Sequence, residues 1–213
     1  LRVGSTSSDT STIVPTGIQL GVGVKLASVY RITEQGNLKQ TSNDFDMAIQ
    51  GGGYFQVTMP DGATGYSRAG SFQRSPTGEI VTADGYPVVP GITIPANTVA
   101  VTINASGEVL AKISGVSTPS NVGQLQLAQF PNNAGLDAIG DNLFLETPAS
   151  GAAITGTPGS TGFGSILQGY VETSNVNAVE EITNLITAQR AYEMLARVVS
   201  TSDEMSKTVT QMS

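Results

Sequence analysis

All 25 glycines and all 10 prolines of this chain lie in its first 169 residues, and Tyr170–Ser213 contains neither. Glycine and proline are the strongest interrupters of regular backbone, one by excess freedom and the other by a locked φ and a missing donor. The sequence therefore predicts two physically different parts. A turn-rich body comes first and an uninterrupted helical tail follows.

The tail carries a start signal and a periodic surface. Asn177 is placed to cap the first turn, with Glu180 positioned to complete a capping box. Glu180 and Glu181 also suit the positive end of the helix dipole. A helix over 178–210 would be a rod of roughly 50 Å at 1.5 Å per residue. Along it, Leu185, Ala188, Tyr192, Leu195 and Val199, continuing through Ser202, Ser206 and Val209, recur at alternating spacings of three and four. A second row does the same: Ala191, Met194, Val198, Thr201, Met205, Thr208 and Met212. At ~100° per residue the two rows lie roughly 110° apart. Between them on the far side runs a polar stripe of Gln189, Glu193, Arg197, Ser200, Glu204 and Lys207. One row would suffice to dock the helix on its own body. Two rows fit a helix wedged between neighbours in a bundle or tube. The nine residues expected to pack against other subunits are Leu185, Ala188, Tyr192, Leu195, Val199, Ala191, Met194, Val198 and Met205. Toward the C-terminus Ser and Thr replace the large apolar residues, so that end should be weakly helical without partners.

The body reads as short antiparallel strands. In Tyr54-Phe-Gln-Val-Thr-Met59, Phe55, Val57 and Met59 share one face, and Tyr54, Gln56 and Thr58 the other. Val99–Ile103 and Gln124–Leu127 alternate likewise. Turn chemistry separates the runs, as in Pro60-Asp-Gly62, Ser75-Pro-Thr-Gly78, Ala83-Asp-Gly85 and Asn104-Ala-Ser-Gly107. The expected segments are an extended stretch at 1–27, a β-rich core at 28–147, a Gly/Thr/Pro-rich linker at 148–173 and the helix at 174–213. Residues 1–17 are polar and low in apolar content, a composition that suits disorder in isolation. Gly17–Leu26 alternates glycine with apolar residues, and no Gly-Lys-Ser/Thr ending follows, so a flat strand fits better than a phosphate loop.

Composition removes whole classes of function. The chain has no cysteine and no histidine, which excludes a Ser-His-Asp triad, a Cys-His dyad and Cys/His metal sites. With 10 basic and 17 acidic residues it carries a net charge of −7, the wrong sign for holding a nucleic-acid backbone. No apolar run approaches the ~18 residues of a membrane span. Leu1-Arg-Val-Gly-Ser-Thr resembles neither a signal peptide nor a translation start, so the expectation is a fragment of a longer chain.

Several blocks carry a resemblance. Tyr170-Val-Glu-Thr-Ser-Asn-Val-Asn177, Leu185-Ile-Thr-Ala-Gln-Arg-Ala-Tyr-Glu193 and Ser200-Thr-Ser-Asp-Glu-Met205 closely resemble the C-terminal segment of the bacterial flagellar rod and hook proteins. Asp46-Met-Ala-Ile-Gln-Gly-Gly-Gly-Tyr-Phe55, Tyr66-Ser-Arg-Ala-Gly-Ser-Phe72 and Gly78-Glu-Ile-Val-Thr-Ala-Asp-Gly85 look like that family's core motifs. Pro15–Val24 and Gln35-Gly-Asn-Leu-Lys-Gln-Thr41 are most similar to its distal-rod members. The resemblance implies an elongated axial protein of the basal body, in which many copies stack helically into a hollow rod that crosses the periplasm and transmits torque to the hook. It implies export without a cleaved signal peptide. It also implies self-association, contacts with neighbouring rod and hook proteins and with surrounding L/P ring proteins, and no cofactor or metal. The C-terminal helix would pair with an N-terminal helix that this chain lacks. Residues 1–17 would brace adjacent subunits.

Rival readings rest on few residues. A proximal rod or hook subunit is the alternative within the family. A β-rich carbohydrate-active enzyme could use Asp44 and Asp46, whose spacing would point both side chains to one face of a strand. A Ca²⁺ site there lacks the EF-hand pattern. Gly51-Gly-Gly53 fits a bulge or close backbone contact better than a nucleotide loop. An adhesin would need an exposed aromatic patch, and only six Tyr and six Phe are available.

Overall fold

A computed structural model of the chain describes residues 33–211. The expectations for 1–27, including the alternating glycines of 17–26, lie outside those residues. The strands are β1 (Leu38–Gln40), β2 (Met47–Gln50), β3 (Tyr54–Thr58), β4 (Thr64–Ser67), β5 (Phe72–Arg74), β6 (Ile80–Thr82), β7 (Thr98–Ile103) and β8 (Glu108–Ile113). They continue with β9 (Ser120–Gln124), β10 (Leu127–Gln129), β11 (Asp137–Gly140), β12 (Leu143–Leu145), β13 (Ile154–Gly156), β14 (Ser165–Gln168) and β15 (Tyr170–Glu172). One helix, α1 (Ala178–Gln211), closes the described chain. The mainly antiparallel β body with a single long C-terminal helix is thus the observed fold class among the described residues.

A six-stranded antiparallel sheet, ordered β11-β12-β4-β3-β10-β13, forms the centre. Beside it stand a three-stranded sheet, β7-β8-β9, and the pairs β1-β15, β14-β2 and β5-β6. Strand β3 explains the layering. Phe55 and Val57 project into one buried cluster with Met47, Ile49, Phe72, Leu127 and Ile166. Tyr54, one residue away, projects into a second cluster with Tyr66, Ala128, Phe130 and Leu136. The period-two alternation of a strand feeds both layers, so Gln56 is buried rather than solvated. The second cluster is aromatic and packs edge to face: Tyr66 and Phe130 are 4.7 Å apart at 89°, and Tyr54 and Phe130 are 5.9 Å apart at 67°.

Two segments differ from their sequence reading. Gln124–Leu127 is not one strand: β9 ends at Gln124 and β10 begins at Leu127, with Leu125 buried within the break and Leu127 buried just after it. The Gly/Thr/Pro-rich stretch read as a returning loop supplies strands to the body. Strand β13 pairs with β10, and β14 pairs with β2 along Ser165–Gln168. Ile166 is 1% exposed. Gln168 then stitches this strand to β7, accepting from the Ile103 N–H at 2.9 Å and donating to the Val101 carbonyl at 2.9 Å. Glycine makes the pairing possible, because a Cβ on Gly164 would sit 2.6 Å from the Gln50 carbonyl oxygen.

Candidate assembly interface

The helix begins where the sequence places it. The Asn177 Oδ1 accepts from the Val179 N–H at 3.1 Å, satisfying one of the donors a helix start leaves open. The helix then runs for 34 residues with no glycine or proline to break it. Thr183, Thr187, Thr201 and Thr208 each donate a hydroxyl to the carbonyl four residues back. These hydroxyls are satisfied within the helix and need no outside partner.

Its apolar residues have no cover. Every helix residue whose side chain is described is exposed, so the helix does not dock on the body. In the first row Leu185, Ala188, Tyr192, Leu195 and Val199 are all exposed, Tyr192 at 77%. In the second row Ala191, Met194, Val198 and Met205 are exposed as well. The sequence-predicted residues thus sit together on one rod. Three more belong with them. Val179, Ile182 and Ile186 are exposed at the azimuth that Gln189, Glu193 and Arg197 occupy further along. The polar stripe therefore begins only at Gln189; before it that azimuth is apolar, while Glu180, Glu181 and Asn184 occupy the other sides of the first two turns. The rows of 3-4 spacing start at Leu185, which is why these residues were missed. Reading the stripe backward from Gln189 would have found them.

The helix is joined to the body by a ribbon. Strand β15 pairs antiparallel with β1, Leu38 opposite Glu172 and Gln40 opposite Tyr170. Beyond the pairing, the Thr173 N–H donates to the Asn37 carbonyl at 2.8 Å, and the Asn175 side chain donates to the Glu34 carbonyl at 2.9 Å. The two segments approach so closely at Gly36 that a Cβ there would run into the Thr173 carbonyl.

The catalytic reading loses its geometry. Asp44 lies in an exposed turn, not on a strand, while Asp46 is nearly buried and accepts from the Asn43 side chain at 2.9 Å. The two carboxylates therefore do not share a strand face. Among the described residues no group of three Asp or Glu could hold a metal ion. No described helix is long and apolar enough to cross a membrane. Gly51-Gly-Gly53 bends tightly, with Gly51 at φ 108° and Gly53 at φ 134°; a Cβ on Gly51 would sit 3.1 Å from the Gly164 Cα, and the Gly164 N–H donates to the Gly52 carbonyl at 2.8 Å. That is the close backbone contact expected of it. Glu193 with Arg197, and Asp203 with Lys207, stand at i,i+4 spacing, but the ion pair formed among the described residues is Arg68–Glu172.

Both parts of the chain match known families. Residues 48–111, from β2 to β8, match the flagellar hook protein FlgE/F/G D1 domain. Residues 167–212, from the end of β14 through the helix, match the flagellar basal body rod FlgEFG protein C-terminal domain. The flagellar basal-body rod protein FlgG of Caulobacter vibrioides is 57% identical over 99% of this chain and 80% of its own length. FlgG of Bacillus subtilis is 35% identical over 88% of this chain and 72% of its own length. The flagellar hook protein FlgE of Salmonella typhimurium is 39% identical over only 55% of this chain and 29% of its own length. Similarity to hook protein is thus partial, whereas similarity to FlgG runs through the body, the ribbon and the helix. This chain belongs to the FlgG family of flagellar basal-body rod proteins.

Proposed function

We propose that this subunit works by packing: α1 takes its place among the helices of neighbouring subunits in the inner tube of the rod, and the β body forms the outer layer. The chain is a structural, non-enzymatic subunit of the flagellar distal rod. It resides in the basal body and assembles with other flagellar proteins. The observation that carries the packing mechanism is a 34-residue helix whose described side chains are all exposed, with large apolar residues on two rows and, at its base, on a third side through Val179, Ile182 and Ile186. A monomeric soluble protein rarely leaves such an apolar surface in water. A helix apolar on more than one face requires neighbours on more than one side. In this reading the rod crosses the periplasm inside the L/P rings, the subunit is exported without a cleaved signal peptide, and residues 1–27 brace adjacent subunits.

The test is mutational. Leu195→Asp or Tyr192→Asp would bury a carboxylate in a helix–helix contact, at a cost of several kcal/mol per subunit. Each should abolish rod assembly while the isolated chain keeps its β-body melting transition. Glu193→Gln, on the polar stripe, should leave assembly intact. Full-length rods in isolated basal bodies carrying Leu195→Asp would sink the mechanism.

A further inference from the structure

The Arg68–Glu172 pair joins residues 104 apart in sequence and stands where the helix-bearing ribbon meets the turn before β3. The Arg68 Nε donates to the Glu172 Oε2 at 2.9 Å. Its Nη1 donates to the carbonyls of Gly51 at 2.9 Å and Gly53 at 3.0 Å, both ends of the glycine turn. The other Glu172 oxygen accepts from the Gly36 N–H at 2.8 Å. Gln35 closes the same frame, donating to the Ile49 carbonyl at 2.8 Å and accepting from the Gly51 N–H at 3.1 Å. The two charged side chains are only 21% and 13% exposed. An exposed lone pair would hold little, but a covered guanidinium that satisfies a carboxylate and two carbonyls is a rigid, directional link.

We propose that Arg68 and Glu172 are positioning residues that set the angle of the β1–β15 ribbon, and with it of α1, on the β body. The inference rests on the rod-subunit reading: in a drive shaft, force on the inner helix reaches the outer body through this ribbon. The chemistry is specific to arginine. Lysine keeps the charge but has no planar fork to reach Glu172 and both glycine carbonyls at once. The glycine turn brings the Gly51 and Gly53 carbonyls together on the Arg68 guanidinium, with φ values of 108° and 134° at its ends.

The chain has no cysteine, so spin labels can be placed at Asp61→Cys in the body and Gln189→Cys in the helix without competing thiols. In the isolated chain, Arg68→Lys and Glu172→Gln should each broaden the label–label distance distribution. They should also speed amide exchange at Gly36, Gly51 and Thr173 on the order of ten-fold or more. Exchange at Val57 and Val109, in the body's core, should not change. In cells, basal bodies with either variant should show fewer complete rods or stall under viscous load. Unchanged distance widths and ribbon exchange would overturn the inference, as would parallel loosening of Val57 and Val109, which marks the pair as ordinary core support. Loosened ribbons with normal rods and normal rotation under load would also overturn it, while leaving the rod reading intact. Failure of the rod reading is separate: it would show as complete rods in cells lacking the protein altogether.

Discussion

A single methyl group is enough to test the ribbon. At Gly36 a Cβ would run into the Thr173 carbonyl, so Gly36→Ala must push the two segments apart or lose the Glu172 contact to the Gly36 N–H. The expected loss is about 1–3 kcal/mol, localised to the ribbon. It should appear as faster amide exchange at Thr41 and Thr173, whose N–H groups bond across to Gly169 and Asn37, with little change at Val57. Tyr66 offers a test of the second core. Burial raises its pKa, and the nearby Glu146 carboxylate, by charge and by hydrogen bond, raises it further. The folded state thus holds the phenol proton more tightly than the unfolded chain does. That contribution is fully present below the unfolded value of about 10 and is lost as pH rises through the higher folded value. Stability of the β body should fall above about pH 10, and Tyr66→Phe should flatten that part of the profile, as read by denaturant unfolding at a series of pH values. None of this was legible in the sequence. Gly36 and Tyr66 each depend on a partner more than 70 residues away, and the identity of that partner is set by topology.

At the scale of elements, legibility followed locality. The bounds of α1 could be read because its signals are neighbours in sequence: Asn177 caps it, and no breaker interrupts it through Gln211. Strand β3 could be read from the alternation of Phe55 and Val57 with Gln56 and Thr58. Strands β13 and β14 could not. They are three and four residues long and sit among glycines, and β14 pairs with β2, more than 100 residues earlier. A glycine-rich stretch looks like a loop locally. Here the glycine at 164 is what lets the backbone approach Gln50. For α1 itself, propensity decides how it behaves alone. Its last turns are rich in Ser and Thr, residues of only moderate helix propensity. In the isolated chain, amides from 200 onward should exchange close to unstructured rates, whereas those of 181–195 exchange more slowly. Assembly should protect both. Equal protection along the whole helix in the monomer would mean that its local propensities are strong enough without partners.

The whole molecule divides into a body and a helix with different demands. The β body has its own cores: two clusters are buried, and β13 and β14 are tied into it by paired backbone, β14 also by Gln168. The helix has none, since every described side chain on it is exposed. The lack of cysteine and histidine rules out Cys- and His-based chemistry, and the exposed apolar rows of the helix are the surface that asks for partners. Family membership matches this division, since the matched domains cover the body from residue 48 to 111 and the tail from 167 to 212. The base of the helix, Val179, Ile182 and Ile186, extends the exposed apolar surface beyond the two rows read from the sequence. The most direct test is electron cryo-microscopy of the rod in isolated basal bodies, at a resolution that shows side chains. The account predicts that Leu185, Tyr192 and Leu195 contact one neighbouring helix, that Ala191, Met194 and Val198 contact another, and that Val179, Ile182 and Ile186 are enclosed. A rod in which both rows face solvent or the channel, with contacts made through Gln189, Glu193 and Arg197 instead, would contradict it.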